Sequence, residues 1–210
     1  MAAAPTPPPT QAPAAPTLPF EGEIVVAVKQ EAAKVPARIT FDVKGDKVRY
    51  TSDNSLVRTV ADVAADHVYE VNEARKAFAD VEPKPVASNV KVTKSAYTEK
   101  LAGAPCEVWG IEDANGTVDV CVAKGIPFFD LTGEPKSAKA GKAEPEWAAA
   151  LTREKAFPLS VVAYDKQGKE EYRAEAVAVA SKKLDDSMFR VPTGFKKTEV
   201  SSEMLTASLP

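Results

Sequence analysis

Histidine occurs once in this chain of 210 residues, at His67, and cysteine only twice, at Cys106 and Cys121. A single imidazole forces any Ser-His-Asp or Cys-His arrangement through His67, which follows Asp66 and precedes Val68-Tyr69; a polar residue at the start of a strand accounts for it without catalysis. One histidine among scattered carboxylates falls short of the usual ligand sets, so no metal and no cofactor is expected. No apolar run approaches the roughly 18 residues that a membrane-crossing helix needs, and the longest, Ile24 to Val28, is strand-sized. An excess of basic charge is missing too. The net charge of -3 offers no field to draw polyanions, which argues against nucleic acid or an acidic membrane surface as the main partner. No glycine-rich loop follows a strand, and Gly141-Lys142 lacks the earlier glycine that a phosphate-cradling loop requires.

Charge is absent altogether from Met1 to Pro19, where seven prolines alternate with Ala, Thr and Gln. Such a segment cannot bury enough apolar surface to offset chain ordering, so residues 1–19 read as a disordered Pro/Ala-rich linker. Without a basic start or a long apolar run it is not itself a signal peptide. It fits the tether that remains after an export signal is removed, the place where a lipid anchor belongs, with Met1 added for expression.

What the chain does have is period-two alternation. Ile24, Val26 and Val28 share one face of a run from Phe20 to Lys29, Ile39, Phe41 and Val43 one face of the next, and Gly45-Asp46 turns the chain into Val48-Arg49-Tyr50. Leu56 to Val63, His67 to Val71 and Ala77 to Val81 repeat the pattern at even spacing, which predicts a meandering antiparallel sheet. Glu82-Pro83-Lys84-Pro85 ends that section. Val90, Val92 and Tyr97 open the next edge, and a second hairpin joins Phe157–Asp165 to Glu170–Ser181 around Lys166-Gln167-Gly168. Pro145 to Leu151 reads as a short helix with Trp147 and Leu151 on one face, and Leu184 to Phe189 as one helical turn.

The cysteines flank Asp113-Ala114-Asn115-Gly116, a strong hairpin signal because Asn-Gly tolerates the positive φ of a tight turn. A turn centred near Asp113 and Ala114 puts Cys106 opposite Cys121, within reach of a disulfide; two buried free thiols are the alternative. Fifteen residues apart and without a basic neighbour, they do not form a redox-catalytic pair. Asp185 and Asp186 beside Ser187 could share acid-base work, but a capped turn docking Met188 and Phe189 explains them too.

The sum predicts nine to eleven short strands and one or two short helices around one core: a mainly β, curved antiparallel half-barrel over residues 20–197, with a closed barrel or β-sandwich as the alternative. Val191-Pro192 is expected to end the ordered region, and residues 198–210 to form a flexible tail.

Gly103-Ala104-Pro105-Cys106-Glu107-Val108-Trp109, Val120 to Gly125, Phe157 to Val162 and Leu184 to Phe195 together resemble the bacterial domain-of-unknown-function family 4412, over about Phe20 to Lys196. That family is similar in fold to periplasmic lipoprotein carriers and receptors of the LolA and LolB type, open half-barrels that shelter acyl chains under a helical lid. The resemblance implies a non-enzymatic, exported protein of the Gram-negative envelope, periplasmic or outer-membrane-associated, that binds a hydrophobic ligand such as a lipid or lipoprotein acyl chains. Phe128, Phe129 and Leu131, after a proline, and Trp147 and Leu151, on the helix, are then the candidate ligand and lid residues. Filling of the concave face by these same groups is the plainer alternative. It goes with an envelope interaction, sensor or assembly domain whose partner is a protein.

Overall fold

The computed structural model describes residues 20–30, 37–53, 55–81, 90–112, 116–128 and 146–199. Alternation builds strands β1 (Glu21–Gln30), β2 (Ala37–Lys44), β3 (Lys47–Ser52), β4 (Val57–Asp62), β5 (His67–Asn72) and β6 (Ala77–Val81). After these come β7 (Lys91–Leu101), β8 (Ala104–Glu112) and β9 (Gly116–Ala123), a helix α1 (Glu146–Arg153), then β10 (Phe157–Asp165) and β11 (Glu170–Ser181). A 3-10 turn at Asp186–Phe189 precedes β12 (Lys196–Lys197). All twelve strands lie in one open, curved sheet ordered β12-β6-β5-β4-β3-β2-β1-β11-β10-β9-β8-β7. This is a half-barrel.

Two meanders compose it, β1 to β6 and β7 to β11, joined where β1 pairs antiparallel with β11 from Gly22 opposite Ser181 to Gln30 opposite Tyr172. Bulges bend the sheet at several ladders. At the β1–β11 junction Val177 is left without a partner and stands 54% exposed. Between β9 and β10 the extra residue is Leu159, beside Pro158, whose missing N–H is tolerated at such an irregularity.

Register fixes which side chains share a face. From Ile24 the inner face runs one way through Phe41, Tyr50, Thr59 and Glu70 to Ala79. From Val28 it runs the other way through Ala174, Val161 and Val120 to Trp109. The main apolar cluster lies here, with Ile24, Phe157, Leu159 and Leu151 at its centre.

A second apolar cluster occupies the opposite, outer face, where the single core expected from the sequence has no counterpart. Val60, Tyr69 and Val71 pack there beneath Leu184 and Phe189. The Tyr69 hydroxyl donates to the Phe189 carbonyl at 2.6 Å, and Lys44 Nζ donates to the Leu184 carbonyl at 2.8 Å. Three further expectations need correction. Twelve strands form among the described residues where at most eleven were predicted. The chain does not stop at Val191-Pro192: Lys196 and Lys197 pair parallel with Ala77 and Phe78, and the Thr198 amide donates to the Phe78 carbonyl at 2.8 Å. That parallel pair has no period-two signal to announce it, being two lysines long.

The third correction concerns the cysteines. They are bonded, but Cys121 sits opposite Val108, so the bridge runs diagonally along one face with a Cα–Cα distance of 5.3 Å. Glu112 pairs with Thr117, so every partner across this hairpin is shifted by two residues from the expected register. Diagonal neighbours on one face of an antiparallel pair remain close enough to bridge. The bond closes a sequence separation of 15 residues, for which chain entropy predicts a stabilisation of about 3 kcal/mol. Cys106→Ser is therefore expected to lower unfolding stability by about that amount in oxidising buffer. Urea unfolding with and without reductant checks it, and a variant that matches the oxidised parent contradicts it.

Candidate functional site

Of the candidate ligand and lid residues, Phe128, Trp147 and Leu151 meet on the inner face. Helix α1 starts with Glu146 in its first turn, favourable for the helix dipole, and buries Trp147, Ala148, Ala150 and Leu151 on one side. Its C-terminus is closed by paired bonds from the Lys155 amide to the Thr152 carbonyl and from the Ala156 amide to the Leu151 carbonyl. This places Lys155 at φ 50°, a left-handed position where glycine is usual. The Trp147 ring lies 6.1 Å from that of Tyr172, an inner-face residue of β11. Lys94 of β7 ties down the far end, pairing with Glu154 at 2.6 Å while its ammonium sits 4.5 Å from the Trp109 ring centroid. The helix therefore covers the β7–β11 half of the inner face.

Phe128 comes to the same place from the loop after β9. Its ring meets Phe157 edge-on at 6.0 Å, Phe157 meets Phe41 at 5.1 Å, and Phe41 meets Tyr50 at 5.5 Å. These four rings make an aromatic row across the middle of the sheet. Phe128, Trp147 and Leu151 are all buried in the main cluster. Phe129 and Leu131 lie outside the described residues.

The other half of the inner face is polar in a way the sequence reading missed. Glu70 is 8% exposed and Asn72 0%, both on β5 and both on the inner face. Asn72 Oδ1 accepts from the Arg75 amide at 3.0 Å, but Asn72 Nδ2 and Glu70 Oε2 have no hydrogen-bond partner. Burial holds the Glu70 carboxyl above its ordinary value, and burial, then the nearby Glu70 charge, does the same to the Tyr50 hydroxyl. No alternation could reveal this pair, because β5 is buried on both faces from Val68 to Asn72.

The candidates for acid-base or metal chemistry do not converge. His67 is exposed, and its Nε2 lies 3.2 Å from Asp80 Oδ1. Asp185 caps the 3-10 turn by accepting from the Ser187 amide at 2.7 Å, and Asp186 pairs with Lys44 at 2.8 Å. Those partners hold both carboxyls below the usual range, the opposite of what a general acid needs. Among the described residues no three His, Cys, Asp or Glu side chains cluster as a metal site would.

Glu70 carries a testable consequence. A carboxyl raised in the native state supports folding below its unfolded value of 4.5, and that support is lost as pH rises through the native value. Glu70→Gln, which cannot ionise, is expected to gain on the parent as pH goes from about 4 to about 8. Urea unfolding across that range checks it; parallel curves for the two proteins contradict it.

No functionally curated protein matches the sequence. Among solved structures, the chain is similar to an uncharacterised conserved protein from Thermus thermophilus, at 12% identity and TM-score 0.48, covering 87% of this chain and 91% of that one. It is also similar to PNGF-II, at 12% identity and TM-score 0.55; the match takes in 90% of this chain but only 34% of PNGF-II, about a third of its length. A further likeness is to a putative outer membrane lipoprotein-sorting protein domain from Vibrio parahaemolyticus, at 12% identity and TM-score 0.32, over 80% of this chain and 88% of that one. At such identities the likeness to PNGF-II bears on fold alone. The sequence itself matches a family over residues 20–195, nearly the whole of the described sheet, and the chain belongs to that family, Domain of unknown function (DUF4412).

Proposed function

We propose that this chain is a non-enzymatic, exported protein of the Gram-negative cell envelope that binds a hydrophobic ligand, such as a lipid or lipoprotein acyl chains, on the inner face of its half-barrel. The observation that carries the proposal is the apolar inner face of an open sheet closed on one half by a single eight-residue helix. The helix covers that face with Trp147 and Leu151, and Phe128 plugs it from the loop after β9. Swinging these aside would present Trp109, Val120 and Val161 to an acyl chain without breaking any strand ladder. The disulfide supports an oxidising compartment, as export requires. No helix among the described residues is long and apolar enough to cross a membrane, which says nothing of strand-based spanning.

One observation favours a second reading. Phe157, Leu159 and Leu151 are at most 1% exposed, so the space under the helix is occupied by the chain's own side chains. A core that stays filled makes this an envelope interaction, sensor or assembly domain whose partner is a protein.

The two readings separate on whether the helix yields. With an environment-sensitive hydrophobic probe, Trp147→Ala is expected to change binding severalfold, whereas Lys166→Ala, on the exposed turn between β10 and β11, leaves it unchanged. Equal effects of the two substitutions contradict the lid and leave the filled-core reading.

A further inference from the structure

The outer face carries a cavity of about 500 Å³ with Arg49 of β3, Arg58 of β4 and Arg190 among its walls. The sheet register brings the first two together: Arg49 stands opposite Val60, two residues along β4 from Arg58. The 3-10 turn supplies Ser187, and the segment after it Arg190 and Thr193.

Three guanidinium groups around one space repel each other unless something negative answers them. Two are answered in part. Arg49 Nε lies 3.2 Å from Asp42 Oδ2, and Arg58 Nη1 lies 2.7 Å from Glu73 Oε1, while Arg58 Nη2 donates to the Arg190 carbonyl at 3.3 Å. Even so, the Nε donor of Arg58 is buried without a hydrogen-bond partner. The Arg190 side chain has no carboxylate within ion-pair distance among the described residues, and no carboxylate lines the cavity. The acids nearest in sequence, Asp185 and Asp186, are engaged by the Ser187 amide and by Lys44. A buried donor left unsatisfied is costly, and beside three arginines it favours an anion that arrives from outside.

We infer that this outer-face cavity binds a phosphate-bearing anion, held by Arg49, Arg58 and Arg190. Guanidinium forks match the paired oxygens of a phosphate, and Ser187 and Thr193 add neutral donors. The space is larger than a bare phosphate needs, and Met188, Val191 and Pro192 supply an apolar wall for whatever the phosphate is attached to. This site is on the face opposite the proposed hydrophobic-ligand surface and does not rest on that reading.

The test is calorimetric titration of inorganic phosphate into the full chain, against sodium chloride at equal ionic strength. Arg190→Gln is the cleaner variant, since Arg49 also answers the buried Asp42. Phosphate is expected to bind beyond the salt control, and Arg190→Gln to weaken it at least about tenfold. Should that variant be unstable, Thr193→Val is read in the same way, with a smaller loss. No binding beyond salt, or equal affinity in parent and variants, overturns the proposal. Vesicles then identify the source. Sedimentation with phosphatidylglycerol but not phosphatidylcholine vesicles, reversed by phosphate, supports a lipid headgroup; phosphate binding without sedimentation supports a soluble phosphorylated compound.

Discussion

The pairing of β1 with β11 is the contact on which the rest of the half-barrel depends. Its partners lie about 150 residues apart in sequence, as with Lys29 opposite Arg173 and Ile24 opposite Val179, so the chain must close a long loop before this ladder offers any return. Without it the meanders β1–β6 and β7–β11 would each be a smaller open sheet with a raw apolar edge. The ladder demands small residues: a Cβ at Gly22 would collide with the Ala180 carbonyl, and Ala174 and Ala176 line the inner side under Val28 and Val26. Once formed, it makes one inner surface from Ala79 to Trp109 on which the helix can lie.

That long surface has two faces, and both are put to use. Inside, the β7–β11 half is apolar and covered by α1, while the β5–β6 half holds the buried Glu70 and Asn72. Outside, the chain after Ser181 doubles back over β1–β6, anchored by Glu21 accepting from the Leu184 amide at 2.7 Å and by the Tyr69 hydroxyl. This return strap buries Asp42 to 1% exposure beside Arg49 and walls in the arginine cavity. Disulfide, strap and helix thus stabilise an open sheet that has no barrel closure to rely on.

Much of this was legible in the residues. The alternation of Ile24, Val26 and Val28, the even spacing through Val81, and Trp147 with Leu151 at one helical face gave the strands, the meander and the helix in their observed places. Period two located β5 from His67 to Val71, but it reports a strand with one wet face and so gave no sign that the inner and outer sides are both buried there. Period two was silent on β12, which is two lysines long and follows Val191 and Phe195, packed against the outer cluster. The cysteine hairpin was foreseen but its register was not, since a turn centre misplaced by one residue shifts every partner by two. Of the expected site, Phe128, Trp147 and Leu151 converge on the inner face. Glu70 and the three arginines stayed hidden because their significance comes from strand neighbours and from a strap far along the chain, not from any local motif.

The claim that the inner face serves a hydrophobic ligand is tested most directly by mass spectrometry of organic extracts from the protein purified out of a bacterial envelope. A lipid present at one molecule per chain, and displaceable from the stripped protein by a competing acyl probe, is the result this account predicts. Protein that comes out empty, and that admits no probe after stripping, contradicts it and leaves the occupied core beneath Trp147 as a permanent feature of the fold.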